Sequence, residues 1–218
     1  ADVGELAATI VAAHRAGWRI ATRAVGDRAI DVALDAFTAA ARAHPRPDAR
    51  HRIELFAVAR PDQVKRAAGG GVIAVPQGRS GIELGDWIVA AVGPRRAQWL
   101  YRQRSLLDAG MVLPGSSECS IASGAPLLGI HEMVNRRTAS GAPFNPAEAV
   151  TAGEALRAYT YGSAYASKQE HVKGSIEPGK LADLTVLSED PTAVSPHRIA
   201  GLEVLATIID GQVRYAVM

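Results

Sequence analysis

The stretch Ile20-Ala21-Thr22-Arg23-Ala24-Val25-Gly26-Asp27-Arg28 decides the fold. Trp18 to Ala24 reads as a strand, and Asp27 to Ala43 reads as a long alanine-rich helix. The Asp27 carboxylate stands at that helix's start, where it interacts favourably with the helix dipole. The same strand-then-helix arrangement recurs in Arg50-His51-Arg52-Ile53-Glu54-Leu55. Here a strand through His51 to Phe56 precedes a helix from Pro61 to Ala68, with proline suited to the first helical turn. After Gly69-Gly70-Gly71 a third strand runs from Val72 to Val75, and Pro94 to Ala109 is expected to be helical. Met111 to Leu113 then begins a fourth strand, which leads into Pro114-Gly115-Ser116-Ser117. Strands alternating with helices at this spacing predict parallel βα units.

Outward from this centre, Asp2 is a plausible N-cap for a first helix ending near Gly17. The run His44-Pro45-Arg46-Pro47-Asp48 breaks the helix before it. Pro126 to Arg137 carries Leu127, Leu128, Ile130 and Val134 broadly on one face, and Thr151 with Glu154 forms a capping-box pattern ahead of a helix through Ala166. The chain then changes character. Val204 to Ile209, Asp210-Gly211 and Gln212 to Tyr215 predict a hairpin closed by a favoured turn dipeptide.

Composition excludes several classes. The 218 residues allow one sizeable core, short of the about 250 typical of a complete eight-stranded barrel. No run approaches the roughly 20 apolar residues of a membrane span, so no membrane association is expected. The start, Ala1-Asp2-Val3-Gly4-Glu5, has no basic or apolar leader pattern. A formal charge of +2 with dispersed arginines argues against nucleic acid as a partner. The single cysteine, Cys119, permits no internal disulfide and fits a reducing compartment, so cytoplasmic residence is the expectation.

The three segments around Arg23, Arg52 and Ser116 closely resemble strands five, six and eight of the amidohydrolase superfamily. The nearest branch is the one containing N-substituted formamide deformylases and many metal-dependent hydrolases. Lys173 to Leu187 resembles the segment by which such enzymes leave the barrel and enter a small β-domain. The resemblance implies an α/β fold: the C-terminal half of a TIM-like (β/α)8 barrel, about four βα units over residues 1–170, with part of a β-domain over 171–218. Where that branch has His-Ala-x-Gly-Asp, this chain has Arg23-Ala24-Val25-Gly26-Asp27. Where it has Arg-Ile-Glu-His, this chain has Arg52-Ile53-Glu54-Leu55, and for Gly-Ser-Asp it has Gly115-Ser116-Ser117.

These substitutions decide the metal chemistry. A catalytic zinc or similar ion needs lone pairs from imidazole, carboxylate or thiolate. The guanidinium of Arg23 is donor-only, Leu55 has no lone pair, and Ser117 offers only a neutral hydroxyl. Neither a metal nor another cofactor is therefore expected, and metal-assisted attack by hydroxide is not. The family's first four barrel strands, with their His-x-His pair and lysine, have no counterpart here. Four βα units alone leave open sheet edges and an apolar face. A homodimer, a complementary polypeptide completing the barrel, or the rest of a longer chain is the expected partner.

Barrel enzymes place chemistry at the C-terminal ends of strands. By the motif match Arg23, Glu54, Leu55, Ser116 and Ser117 lie there. Arg23 reads either as an anchor for a carboxylate, phosphate or developing oxyanion, or as half of an ion pair with Asp27 or Glu54. In the second strand His51, Ile53 and Leu55 share one face, and Arg52 and Glu54 the other. If Leu55 keeps the direction of the family's histidine, His51 points to the barrel interior and Glu54 to the helices. Glu118 is a candidate replacement acid or base and Cys119 a candidate nucleophile, but neither has an activating partner identifiable in the sequence, which favours loop residues without chemistry. Gln77 and Arg79, after the third strand, are candidate substrate contacts, as is His131. Catalytic candidates are thus Arg23, Ser117, Glu118 and Glu54; ligand-binding candidates are Arg23, His51, Leu55, Gln77, Arg79, Ser116 and His131.

Three functions follow: a metal-free relative that binds or transforms a small molecule with Arg23 as anchor, the C-terminal part of a hydrolase acting on non-peptide C–N bonds, or a non-catalytic half-domain that acts by assembly.

Overall fold

The computed structural model describes residues 2–217. Helix α1 (Val3–Arg15) starts where expected, because the Asp2 carboxylate accepts the Gly4 and Glu5 amides at 2.7 and 3.1 Å. Those bonds satisfy two of the donors that a helix start leaves open. Helix α2 (Asp27–Ala43) has the predicted bounds and buries Ile30, Ala33, Leu34, Phe37 and Ala40, the stripe expected of a surface helix. Strands β1 (Ala21–Ala24), β2 (Arg52–Leu55) and β3 (Ile73–Pro76) form a parallel sheet in the order β1-β2-β3, with helix α3 (Pro61–Gly69) between the last two in sequence. Ala24 stands beside Leu55, and Leu55 beside Pro76. The fold is mixed α/β with a parallel sheet, consistent with a partial TIM-like domain.

Several expectations need correction. The first strand begins at Ala21, not Trp18, whose ring is exposed. The helix expected over Pro94 to Ala109 is instead the end of α4 (Ser80–Ala97) and a separate α5 (Gln103–Asp108). Residues 98–102 leave the helix to meet a neighbouring segment: the Ala59 amide bonds to Trp99 O, the Tyr101 amide to Ala57 O, and Val58 bridges Leu100. The first part of α4 escapes sequence reading because Gly81, Gly85 and Gly93 are poor helix formers. Gly93, at φ 75°, kinks the helix just before Pro94. Met111 to Leu113, finally, forms no strand. The Met111 amide folds back onto Leu106 O, and further on the Gly115 amide bonds to Ala158 O, so no ladder develops.

Backbone packing divides the chain into two compact units, Ala1–Pro76 with Val89–Leu113 and Gln77–Ile88 with Pro114–Met218. In the first, α1 packs along α2, and α2 lies against the sheet. In the second, α6 (Pro126–Asn135) packs on α7 (Ala152–Arg157), which starts in the predicted Thr151–Glu154 capping box. The helix does not run unbroken to Ala166, since a π-helical turn over Ala158–Gly162 separates α7 from α8 (Ser163–Ala166). Strands β4 (Leu184–Leu187), β5 (Val204–Ile209) and β6 (Gln212–Ala216) make an antiparallel sheet, and the predicted hairpin turns at Asp210 and Gly211 with φ of 50° and 73°. Among the described residues no helix is long and apolar enough to cross a membrane.

The π-helical turn aims the Tyr159 ring into a slot lined by glycine. A Cβ on Gly115 would stand 2.5 Å from the ring's Cγ, one on Gly78 would stand 2.6 Å from the hydroxyl, and one on Gly129 would overlap it. Gly115→Ala should therefore destabilise the protein by about 1–3 kcal/mol. Gly153→Ala, in open space on α7, should be neutral or stabilising by up to about 1 kcal/mol. Urea unfolding of both variants checks the contrast; equal midpoints would mean the slot is not tight.

Candidate functional site

In the first unit, residues in register on a parallel sheet share a face, which sets Arg23 beside Glu54 and Thr22 beside Ile53. Arg23 is exposed at the C-terminal end of β1. Glu54 accepts from Arg52 Nε at 2.9 Å along its own strand. Asp27 Oδ1 accepts the Arg28 amide at 3.0 Å, and the same carboxylate lies 4.0 Å from Arg96.

The alternation predicted for β2 holds, but its faces are exchanged. Phe37 of α2 stacks on the His51 ring at 4.9 Å, so the face of His51, Ile53 and Leu55 lies against the helices, and that of Arg52 and Glu54 is the open one. The apolar stripe of α2 needs apolar or aromatic cover, and Phe37 finds it on the His51 ring, with Ile53 and Leu55 buried farther along the strand. His51, 5% exposed, is thus enclosed instead of lining a barrel interior. Leu55 and Phe56, with φ of 74° and 43°, both occupy the left-handed region. This conformation costs L-residues roughly 1–2 kcal/mol each, and complete burial of the Phe56 ring offsets it. Such strain gathers at functional positions, and position 55 is where the motif match implies a ligand.

In the second unit, two segments carrying the other candidates are fastened together. Gln77 Nε2 donates to Glu118 Oε2 at 2.7 Å, and the Ser80 hydroxyl donates to Gln77 Oε1. The Gly78 amide and the Tyr159 hydroxyl both donate to Ser116 O, at 2.9 and 3.0 Å. Glu118, at φ 55°, and its neighbours Ser116 and Ser117 are half-buried, while Cys119 is exposed. Ser80, Gln77 and Glu118 thus form a hydrogen-bonded series that orients a carboxylate, the arrangement a general base or a cation-binding group requires. Arg79 pairs with Glu83 at 2.9 Å. His131 Nδ1 lies 3.2 Å from the Asn135 amide nitrogen. Burial holds its pKa below the usual histidine value, with His197 and Arg79 adding to the effect.

Sequence reasoning missed Ser80, Tyr159 and Glu132. Glu132 is the most informative of these, being 2% exposed on α6 and accepting the Gly81 and Ile82 amides at 2.5 and 3.0 Å. It caps the start of α4 from another element, and its only sequence signal is an acid within the apolar-periodic helix of Ile130 and Met133. Burial raises its pKa to about 7, against the opposing pull of the two amides, Arg136 and Arg79. Burial likewise pushes the Tyr159 phenol up to about 12.

Arg23, Leu55 and Ser117 do not fit a metal ion at the positions where the motif match implies ligands. Among the described residues no three side chains of His, Cys, Asp or Glu converge to hold one.

A model of the amidohydrolase family matches residues 1–215. The chain is 36% identical to the N-substituted formamide deformylase of Arthrobacter pascens over 94% of its own length and 38% of that protein. It is 30% identical to Protein LONG AFTER FAR-RED 3 of Arabidopsis thaliana, over 98% of this chain and 37% of the relative. Among solved structures it is similar to an uncharacterized metal-dependent hydrolase from Pyrococcus horikoshii OT3, with a TM-score of 0.76 and 32% identity over 90% of this chain and 39% of that one. The chain spans about two-fifths of the length of the relatives it matches.

Glu132 generates a pH signature. Its folded pKa of about 7 exceeds the ordinary 4.5, so it binds its proton more tightly in the native state. Its contribution is full below 4.5 and is lost as pH rises through about 7. Glu132→Gln, which does not titrate, should gain stability relative to wild type by up to about 3 kcal/mol between those limits. Paired denaturant titrations across that range measure the difference, and a flat difference would refute the buried carboxyl.

Proposed function

The chain belongs to the amidohydrolase family, and on that premise we propose that it is a divergent member without the family's metal centre, which binds or transforms a small anionic molecule with Arg23 as anchor. One observation carries this reading. At the three motif positions where metal ligands are implied stand a guanidinium, an aliphatic side chain and a hydroxyl, in Arg23, Leu55 and Ser117. Arg23 puts a fixed cation at a strand's C-terminal end, where it recognises a carboxylate or phosphate by charge-assisted hydrogen bonds. In the second unit Glu118, oriented by Gln77, is the group suited to accept a proton or a hydrogen bond. Gln77, Arg79, Ser116, Ser117 and His131 are the proposed ligand contacts there.

A second reading has its own observation. The 36% identity to an N-substituted formamide deformylase, over 38% of that protein, supports this chain as the C-terminal part of a hydrolase acting on non-peptide C–N bonds. It requires the missing ligands to come from elsewhere. Both readings accommodate a homodimer or a complementary chain that completes the barrel, and such a partner also suits a non-catalytic role in assembly.

Two measurements test the proposal. Titration with simple carboxylates or inorganic phosphate should show affinity that Arg23→Ala lowers by about tenfold or more, the worth of one charge-assisted hydrogen bond. Unchanged affinity sinks the anchor. Native mass spectrometry of the purified chain should show a metal-free dimer, whereas a stoichiometric metal would return hydrolysis to first place.

A further inference from the structure

We propose that His14 and His51 form an acid-operated latch that holds α1 and the 44–48 segment on the first unit, and that acidification releases them without unfolding α2 or the sheet. The two rings meet with His14 Nδ1 2.7 Å from His51 Nε2. His51 Nδ1 accepts the Ile20 amide at 3.1 Å, which makes Nε2 the protonated nitrogen of the neutral His51 ring. That N–H donates to His14 Nδ1, so His14 carries its own proton on Nε2 and donates it to His44 O at 2.7 Å. One assignment thus satisfies every donor and acceptor from the Ile20 amide to the His44 carbonyl, and it has both rings neutral. A proton added at His51 Nδ1 opposes the Ile20 N–H, and one added at His14 Nδ1 opposes the His51 N–H. The pair is a hydrogen bond and not a metal site, since two imidazoles on one zinc, each about 2.0–2.1 Å from it, stand farther apart.

Helix α1 packs along α2, but little of it is enclosed there. Helix α1 buries only Ile10 and His14 among its residues. At its C-terminal end the Arg46 guanidinium donates to His14 O at 2.7 Å, Gly17 O at 2.7 Å and Trp18 O at 3.0 Å. The 44–48 segment therefore grips the end of α1 through Arg46 and the His14 ring through the His44 carbonyl. The groups around His51 are the His14 ring from α1, the uncharged Phe37 ring from α2 and the Arg46 guanidinium from the 44–48 segment; Arg50 turns to Asp48 at 2.6 Å. Among the described residues, the charged groups acting on His51 are His14 and Arg46, both of which disfavour an imidazolium.

Burial, with His14 and Arg46 adding, lowers the pKa of His51 from 6.5 to about 4. The released state therefore binds the proton first. The latch is at full strength above 6.5 and weakens as pH falls toward about 4. Near pH 4.5 the docking equilibrium is weaker by roughly 30- to 100-fold.

Hydrogen exchange on the full chain near pH 7.5 and near pH 4.5, corrected for intrinsic rates, tests the latch, together with nitrogen-resolved NMR of the histidine rings. The expected result is a neutral, Nε2-protonated His51 at neutral pH and a loss of α1 protection of about tenfold or more on acidification, with α2 and β2 still protected. His51→Phe keeps a ring on Phe37 but removes the His51 proton site, so its α1 protection should change with pH by several-fold less than that of the wild type. Should that variant fail to fold, the wild-type comparison decides alone. The proposal is overturned if His51 titrates like a solvent histidine, if α1 protection is unchanged, or if α1 and α2 lose protection together.

Discussion

The Tyr159 ring fills the space left by Gly78, Gly115 and Gly129, and its hydroxyl holds the Ser116 carbonyl. Three segments distant in sequence are tied to one side chain by this contact. The glycines are required because any Cβ would enter the ring's volume, and the ring is required because nothing smaller would fill it. Gln77 precedes and Arg79 follows Gly78 by one residue, and Ser116 follows Gly115, so the same packing that stabilises the second unit also places its candidate site. The hydrogen bond from Gln77 to Glu118 is a consequence of that placement.

The first unit rests on the apolar stripe of α2. It needs an apolar sheet face, and the parity of a strand then leaves Arg23, Arg52 and Glu54 on the other side. His51 belongs to the helix-facing layer for the same reason. Once enclosed, it must satisfy both ring nitrogens, and the series through His14 to His44 does so. A residue expected to face a ligand thus became part of how the helices are fastened.

Both units share a pattern in which polar groups are enclosed by packing and then completed by partners from other elements. Glu132 caps α4 from α6, and His14 reaches the 44–48 segment from α1. These buried groups are finely poised, since burial moves Glu132 and His51 away from their ordinary ionisation in opposite senses of charge. Arg23, Leu55 and Ser117 carry no ionised or imidazole lone pair of the kind a catalytic metal needs.

Much was legible in the residues themselves. Asp2 as a cap, the bounds of α2, the Thr151–Glu154 box and the Asp210–Gly211 hairpin all follow from local backbone chemistry, in which the satisfying partner lies within a few residues. The resemblance of the three motifs to the family is equally a matter of residue identity. The start of α4, the failure of Met111 to Leu113 to form a strand, and the two faces of β2 were decided only in three dimensions. In each case a distant partner outweighs local preference: Glu132 supplies a cap that α4 lacks, Ala158 takes the Gly115 amide from a ladder, and α2 selects which side of β2 it covers. Sequence periodicity reports which residues share a face, whereas which face is buried depends on what packs against it.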